Sequence, residues 1–267
     1  MPINLCNGVA TFQRLIEYTL AGLNWQTCLI YIDDIIVFSD SFESHLSRLT
    51  DVLDRIALQG LKISSKKCSL FQKQVSFLGH IVLSEGIATY PDQIACVKTW
   101  LLPKSMTDVR CFLETCSYYR KFIKIFSEIA RPLHKLRKQR KIVLLIGPMN
   151  AMKLQMTLMS VPILGYPDMT KQFILDTDAS GFGIGAVLSQ IHEGKEVVVA
   201  YYSKSLSKAQ RQYCVTRREL LAVISSIKNF HPISMVHILK YEQIMELKHG
   251  FSGSKNPEGQ MARWLET

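Results

Sequence analysis

The chain has 267 residues, of which 48% are hydrophobic, and a formal net charge of +10. This length and apolar content are enough to bury one large core or two ordinary ones, which excludes a disordered chain. There is no charged-then-apolar leader and no apolar run of bilayer length, so we expect an intracellular protein without a signal peptide or transmembrane helix. The seven cysteines are scattered among apolar neighbours, which predicts reduced, buried thiols.

The first half of the chain alternates short β-rich runs with segments of helical spacing. In chain order, the patterns first predict a hairpin over 28–38. A helix follows, which starts with a capping box at Asp40 and Glu43, has its apolar positions at Leu46, Leu49, Leu53 and Ile56, and ends at Gly60. The later elements are short strands at 61–63 and 75–82, helices from Pro91 to Pro103 and over 110–125, and a charged segment over 131–141.

The segment from Pro103 to Lys141 is strongly basic, with eleven Lys or Arg against three acids. Five aromatic residues interrupt it. Such a segment could bind phosphates through its charges while its rings stack on bases or sugars. The alternative is a solvated basic helix whose aromatics belong to the core, and composition alone leaves both open.

The second half begins with a poorly patterned connector over 142–159. Three consecutive strands are predicted after it, and glycines at 181, 183 and 185 are expected to ease the first turn. Helix-start signals follow at Ser207 and Thr216, and a single apolar face continues from Leu220. Three strands followed by a helix predict an α+β domain. The strands are predicted at 171–178, 184–190 and 196–202.

Two adjacent carboxylates, Asp33 and Asp34, lie between apolar strands, where they would repel each other and require a positive partner. A pair of magnesium ions fits this requirement beside a basic surface, because two metals can stabilise both oxygens in phosphoryl transfer. The alternative is an ordinary solvent-exposed Asp-Asp turn.

The run Tyr31-Ile32-Asp33-Asp34 resembles the catalytic hairpin motif of reverse transcriptases. Further runs resemble the gypsy-class LTR retrotransposon Pol polyproteins in the same order: Leu5-Cys6-Asn7 to Ala10-Thr11-Phe12-Gln13, Leu61-Lys62 to Lys67-Cys68, Phe77-Leu78-Gly79-His80, and Ser117-Tyr118-Tyr119-Arg120-Lys121-Phe122-Ile123. The resemblance implies an α+β fold with a partial palm over 1–85, a thumb and connection over 86–141, a linker over 142–165 and an RNase H-like domain over 166–267.

The resemblance also implies function. Asp33 and Asp34 would be catalytic metal ligands of an RNA-directed DNA polymerase that uses Mg²⁺, or Mn²⁺, with a template-primer or RNA–DNA hybrid and dNTPs. Residues implied to contact nucleic acid are Gln13, Lys67, Phe77, Leu78, Gly79, His80, Tyr118, Tyr119, Arg120 and Lys121, with Lys66 or Lys67 placed to assist the leaving pyrophosphate.

A second set of motifs resembles the RNase H domain of the same polyproteins: Asp176-Thr177-Asp178-Ala179-Ser180, Arg217-Arg218-Glu219-Leu220-Leu221-Ala222, and Asn256-Pro257-Glu258-Gly259-Gln260 to Arg263-Trp264-Leu265-Glu266. The resemblance implies that Asp178 and Glu219 are catalytic and share a magnesium ion, that Glu242 replaces a third carboxylate, and that Asp176 is structural. The alternatives are a strand-end acid for Asp178 and a capping-box residue for Glu219.

Several positions depart from the family pattern. Ile3 and Asn4 replace Phe-Gly in the palm motif, and Glu114 and Thr115 replace Gly-Leu in the thumb, where a glycine loss carries a backbone cost if φ must be positive. Met1 matches a methionine internal to longer family members, and the chain stops before their last carboxylate. We therefore expect a fragment, with a non-catalytic nucleic-acid-binding module and an inert relic as alternatives.

The expected absence of a further palm aspartate generates a prediction. With only Asp33 and Asp34 to hold two metals, the isolated chain should not extend a labelled primer in the presence of magnesium and all four dNTPs. Extension that Asp33→Asn abolishes would contradict this expectation.

Overall fold

The computed structural model describes residues 7–98, 100, 105–136, 143–234 and 239–240. The chain divides into two compact units, Met1–Leu78 and Gly79–Thr267. None of the helices in the described ranges is long and apolar enough to cross a membrane. The helices are α1 (Gly8–Thr19), α2 (Phe42–Leu58), α3 (Pro91–Lys98), α4 (Met106–Tyr118), α5 (Phe126–Leu136), α6 (Val143–Met159) and α7 (Val215–Ser234); the strands are β1 (Cys28–Tyr31), β2 (Asp34–Val37), β3 (Val75–Phe77), β4 (His80–Val82), β5 (Ile87–Thr89), β6 (Phe173–Ala179), β7 (Gly183–His192), β8 (Lys195–Ser205) and β9 (Leu239–Lys240).

The first unit packs α1 and α2 against the β1–β2 hairpin. Its buried core is Ile16, Leu20, Cys28, Val52 and Ile56. The hairpin and the helix after it are confirmed. Ser41 rather than Asp40 caps α2, by accepting a hydrogen bond from the Ser44 N–H. Leu46 and Leu53 are exposed, although the apolar spacing predicts them on the buried face.

In the second unit, α3 to α6 enclose one apolar core around Phe112, Phe122 and Leu133. A capping box between Ser105 and Asp108 starts α4 four residues earlier than the sequence predicts, because Asp108 was counted only as a charge. Family positions 114 and 115 lie inside this regular helix and none of its residues has a positive φ, so the lost glycine carries no backbone cost there.

Two helices of this unit differ from the sequence prediction. Residues 131–136 of the charged segment belong to α5, although Pro132 lies inside the helix and argues against one, and residues 137–141 lie outside the described ranges. The predicted connector contains α6, which buries Ala151, Leu154 and Leu158 in the shared core. The apolar residues of α6 are not confined to one helical face of its sequence, so the segment shows no amphipathic period.

The four-stranded sheet has the order β8-β7-β6-β9, with antiparallel pairing except between β6 and β9. This arrangement confirms the predicted α+β class, and α7 packs against β6 and β7. None of the three glycines at the first turn has a positive φ. Gly183 instead allows a close approach, since a Cβ there would lie 3.2 Å from Ser127 Oγ and 3.3 Å from the Lys204 carbonyl oxygen, closer than most Cβ contacts.

The described cysteines are free thiols, as expected, but only two of them are buried. Burial raises the pKa of Cys116 to about 12 and raises that of Cys28 as well. The prediction of burial is wrong for Cys68, Cys96, Cys111 and Cys214, which are exposed. Cys96 and Cys111 each precede a buried residue, Val97 and Phe112, but face outward themselves.

Gly86 lies where two backbone segments of the second unit meet. Ile87 and Leu164 exchange N–H···O hydrogen bonds of 2.7 and 3.0 Å, which attaches the segment after α6 to β5. Gly86 has φ +154°, and a Cβ on it would lie 2.1 Å from the Leu164 carbonyl oxygen. Only glycine fits this approach.

Gly86→Ala should lower the free energy of unfolding by about 2–4 kcal/mol, because the methyl group forces the two segments apart. Gly194→Ala is the matched control, since Gly194 also has a positive φ but nothing lies within 4 Å of its Cβ position; we expect about 1 kcal/mol there. Urea denaturation of both variants measures the difference, and equal losses would contradict the steric account.

Candidate active sites

The β1–β2 hairpin carries the first acidic pair at its tip. Tyr31 pairs with Asp34, so Ile32 and Asp33 form a two-residue turn. Both carboxylates are exposed. The hairpin and the position of the acidic pair between its two strands are where the sequence predicts them, and the exposure of both carboxylates is the arrangement of the alternative, a solvent-exposed Asp-Asp turn.

The hairpin tip has a strained backbone. Ile32 has φ +55°, a left-handed conformation that β-branched residues rarely adopt and that costs about 1–3 kcal/mol. Gln13 of α1 accepts a hydrogen bond from the Ile32 N–H and donates to Glu17 at 2.6 Å. Gln13 was assigned to nucleic-acid contact by the family resemblance; in the structure its amide supports the turn that presents Asp33.

The other residues of the first unit that the resemblance assigns to nucleic-acid contact, and Gly79 at the start of the second unit, are spread along the chain. Lys66 and Lys67 are exposed on a short 3₁₀ turn. Phe77 ends β3, and Leu78 and Gly79 both have positive φ, +48° and +67°. Two consecutive left-handed residues form the tight turn typical of β-hairpins. Their contact with nucleic acid remains a prediction.

His80 lies in a cluster of aromatic rings in the second unit. Its ring stacks on Tyr118 with centroids 5.3 Å apart and meets Tyr119 and Phe122 at 5.7 and 5.4 Å. Tyr119 is 1% exposed, and its hydroxyl donates to the Gly79 carbonyl oxygen at 2.9 Å. The assignment of Tyr119 to nucleic-acid contact therefore conflicts with its burial, whereas Tyr118 is 51% exposed.

The charges around this cluster are unevenly buried. Burial, assisted by the nearby charge of Lys121, lowers the pKa of His80 to about 4, and its Nδ1 has no hydrogen-bond partner. Burial also lowers the pKa of Lys121, whose ammonium group lies 5.3 Å from the Phe122 ring centroid. Arg120 is exposed. At neutral pH the imidazole is uncharged, so Arg120 and Lys121 supply the positive charge here.

The second acidic site forms where β6 ends beside α7. Asp178 pairs with Gly185 in the sheet and has an exposed side chain. Burial, followed by the negative charge of Asp178, raises the pKa of Glu219; the Arg218 guanidinium and the Ala179 N–H lower it. The structure thus brings together two carboxylates that are 41 residues apart in sequence.

The capping-box interpretation of Glu219 is wrong. Helix α7 begins at Val215, so Thr216 lies inside the helix instead of capping it. The Glu219 carboxylate accepts its hydrogen bond from the Ala179 N–H of β6. A long-range contact therefore orients this side chain toward the strand that carries Asp178.

The remaining acids of the predicted site are placed differently. Asp176 lies on the same exposed face of β6 as Asp178. Glu242 lies outside the described residues. Within the part of the chain that the structure describes, no group of three His, Cys, Asp or Glu side chains could hold a metal ion. The pair of Asp178 and Glu219 is thus the acidic constellation defined here.

The turn after β6 is held by a residue that sequence reasoning missed. Ser180 Oγ accepts from the N–H groups of Phe182 and Gly183 at 3.2 and 3.0 Å. Its hydroxyl donates to Glu128 Oε1 on α5 at 2.5 Å. Glu128 precedes Ser180 by 52 residues, and no local motif signals this contact.

Two separate parts of the chain resemble known protein families. Residues 1–82 match the family described as reverse transcriptase (RNA-dependent DNA polymerase), and residues 150–239 match the RNase H-like domain found in reverse transcriptase. The foamy viral protease-reverse transcriptase in complex with an RNA/DNA hybrid has a similar fold, with TM-score 0.78 and 18% identity over 100% of this chain and 37% of that one. The chain therefore carries reverse transcriptase and RNase H-like domains.

Similar proteins include Pol polyproteins of retrotransposons. In Drosophila melanogaster, the retrovirus-related Pol polyprotein from transposon 297 is 35% identical over 99% of this chain and 25% of its own length, and that from transposon opus is 36% identical over 86% of this chain and 24% of its own length. The transposon Tf2-3 polyprotein of Schizosaccharomyces pombe is 35% identical over 86% of this chain and 18% of its own length. The chain belongs to the retrotransposon Pol polyproteins of gypsy type, and it spans about a quarter or less of these relatives.

The buried imidazole of His80 generates a pH prediction. Its unfolded form takes up a proton near pH 6.5 and its folded form only near pH 4, so stability is lost as pH falls through this window. Wild type should lose about 1–3 kcal/mol more than His80→Phe between pH 6.5 and 4. Urea denaturation at several pH values measures this; parallel curves for the two proteins would refute the assignment.

Proposed function

We propose that this chain acts in reverse transcription of a retrotransposon, as an RNase H that hydrolyses RNA in RNA–DNA hybrids and as the palm and thumb of an RNA-directed DNA polymerase. The observation that carries the first activity is the convergence of Asp178 and Glu219. A raised carboxyl pKa caused by burial and a neighbouring carboxylate is typical of sites that bind a cation.

The residues present fit a divalent metal. Two carboxylates offer the oxygen ligands that Mg²⁺ prefers, and their mutual repulsion is relieved when a cation binds between them. Bound there, magnesium would supply charge stabilisation and an activated water for phosphodiester hydrolysis. The Ala179 N–H holds the Glu219 carboxylate toward Asp178, and the hydrogen bonds of Ser180 fix the turn that follows the strand.

The polymerase assignment rests on the exposed tip of the β1–β2 hairpin. Asp33 lies in the turn and Asp34 begins β2, and the hydrogen bond between Gln13 and the strained Ile32 supports a preorganised presentation of both carboxylates to metal ions. Lys67, Tyr118, Arg120 and Lys121 are proposed to contact template-primer. Tyr119 acts from the core, by packing against His80.

The RNase H assignment predicts a specific pattern of metal dependence. With Mg²⁺, the chain should cleave the RNA strand of a labelled hybrid, and Asp178→Asn or Glu219→Gln should reduce the rate at least about 100-fold. Asp176→Asn is the charge-matched control on the same strand face and should retain most of the rate. Salt-sensitive hybrid binding without cleavage by wild type would favour a non-catalytic binding module instead.

The same variants should show a trade between stability and metal binding. Without metal, Glu219→Gln should be more stable than wild type by up to about 1 kcal/mol, because the Asp178 repulsion is removed and the amide oxygen can still accept from Ala179. Mn²⁺ should raise the melting temperature of wild type but not of this variant. An equal Mn²⁺ shift in both proteins would place the metal elsewhere.

A further inference from the structure

An arginine-aromatic cluster borders the turn that follows Asp178. Phe182 lies at this turn and is 48% exposed. The Arg131 guanidinium of α5 lies over its ring, 3.6 Å from the centroid, and that of Arg211 lies over the same ring at 5.7 Å. Residues from three separate chain segments thus form one surface feature, the Phe182 cluster.

The two guanidinium groups place two positive charges at one aromatic ring. Among the described residues, no Asp or Glu oxygen lies within 4.0 Å of either group. Glu128, one helical turn before Arg131, has its Oε1 engaged by Ser180. Both positive charges lie over one ring, so an anion bound at this ring would be attracted by both.

The cluster is built in place before any ligand binds. Ser203 Oγ accepts from the Ser127 N–H at 2.9 Å, and Glu128 accepts from Ser180, so the first turn of α5 is attached to the sheet at two points. Arg211 Nε donates to the Leu206 carbonyl oxygen at 3.0 Å. These bonds hold both arginines beside the ring.

We propose that the Phe182 cluster is a phosphate clamp that binds the backbone of an RNA–DNA hybrid next to the carboxylate pair. A guanidinium that stacks its face on a ring keeps its edge free for bidentate bonds to a phosphodiester. Phe182 follows Asp178 by four residues, at most about 14 Å along the chain, so a duplex at the carboxylates reaches the cluster. This inference rests on the proposed function, because it deepens the binding of the same substrate.

The test measures binding without metal, so that it does not depend on hydrolysis. Fluorescence anisotropy of the full chain with a labelled 20-base-pair RNA–DNA hybrid in EDTA is recorded across potassium chloride concentrations. Arg131→Gln should weaken binding about tenfold and reduce the slope of log affinity against log salt by about one. Phe182→Leu, which removes the ring but no charge, should weaken binding several-fold with the slope nearly unchanged.

Lys195→Gln is the charge-matched control, because Lys195 pairs with His192 at the opposite end of the hairpin from Gly183. It should bind within twofold of wild type, and circular dichroism melts confirm that each variant folds. Wild-type affinity and slope in Arg131→Gln would overturn the clamp. If wild type does not cleave the hybrid in magnesium but Arg131→Gln still reduces the salt slope, the RNase H assignment alone is overturned. If wild type does not bind the hybrid, both proposals are overturned.

Discussion

The second unit depends on the attachment of α5 to the end of the β7–β8 hairpin. The contact is formed by the close approach of α5 to Gly183, the hydrogen bond from the Ser127 N–H to Ser203, and the hydrogen bond from Ser180 to Glu128. Through it, the helical core around Phe112 and the sheet that carries Asp178 belong to one compact unit. The acidic site is therefore built on the sheet and braced from the helical layer.

Burial shifts the pKa of two ionisable groups of this unit, His80 and Glu219, in opposite directions. Near His80, burial keeps the imidazole neutral and leaves the adjacent cations to carry the charge. Near Glu219, burial and Asp178 make ionisation costly, and the Ala179 N–H offsets part of that cost. The burial of His80 lowers the stability of the fold at mildly acidic pH, where the unfolded imidazole takes up a proton, and the burial of Glu219 lowers it at neutral pH, where the carboxylate is ionised. Such costs are expected of groups positioned for binding rather than for stability.

Periodicity predicted the elements whose neighbours are close in sequence. The β1–β2 hairpin, the three strands from β6 to β8 and the helix α7 were all predictable, because alternation and helical spacing are local signals. Helix α6 was not, since its apolar and polar residues do not separate onto two faces and Pro148 lies within it, and α5 was obscured by Pro132. Tertiary packing of Leu154 and Leu133 decides both helices.

The candidate site was predictable only in part. Asp178 and Glu219 were identified through resemblance to a family, and no feature of the isolated residues would reveal that they converge. The bracing by Glu128, the support of Ile32 by Gln13 and the burial of Tyr119 depend on contacts between 19 and 52 residues apart. Such contacts leave no periodic trace in the chain.

The left-handed backbone at Ile32 has a consequence for anyone who improves this protein in the laboratory. Glycine or asparagine would occupy that conformation with far less strain, so selection for thermal stability or expression yield would favour Ile32→Gly or Ile32→Asn. The gain would come from loosening the peptide that aims Asp33. A library screened only for stability or expression would thus tend to enrich variants in which the backbone that positions Asp33 is more flexible.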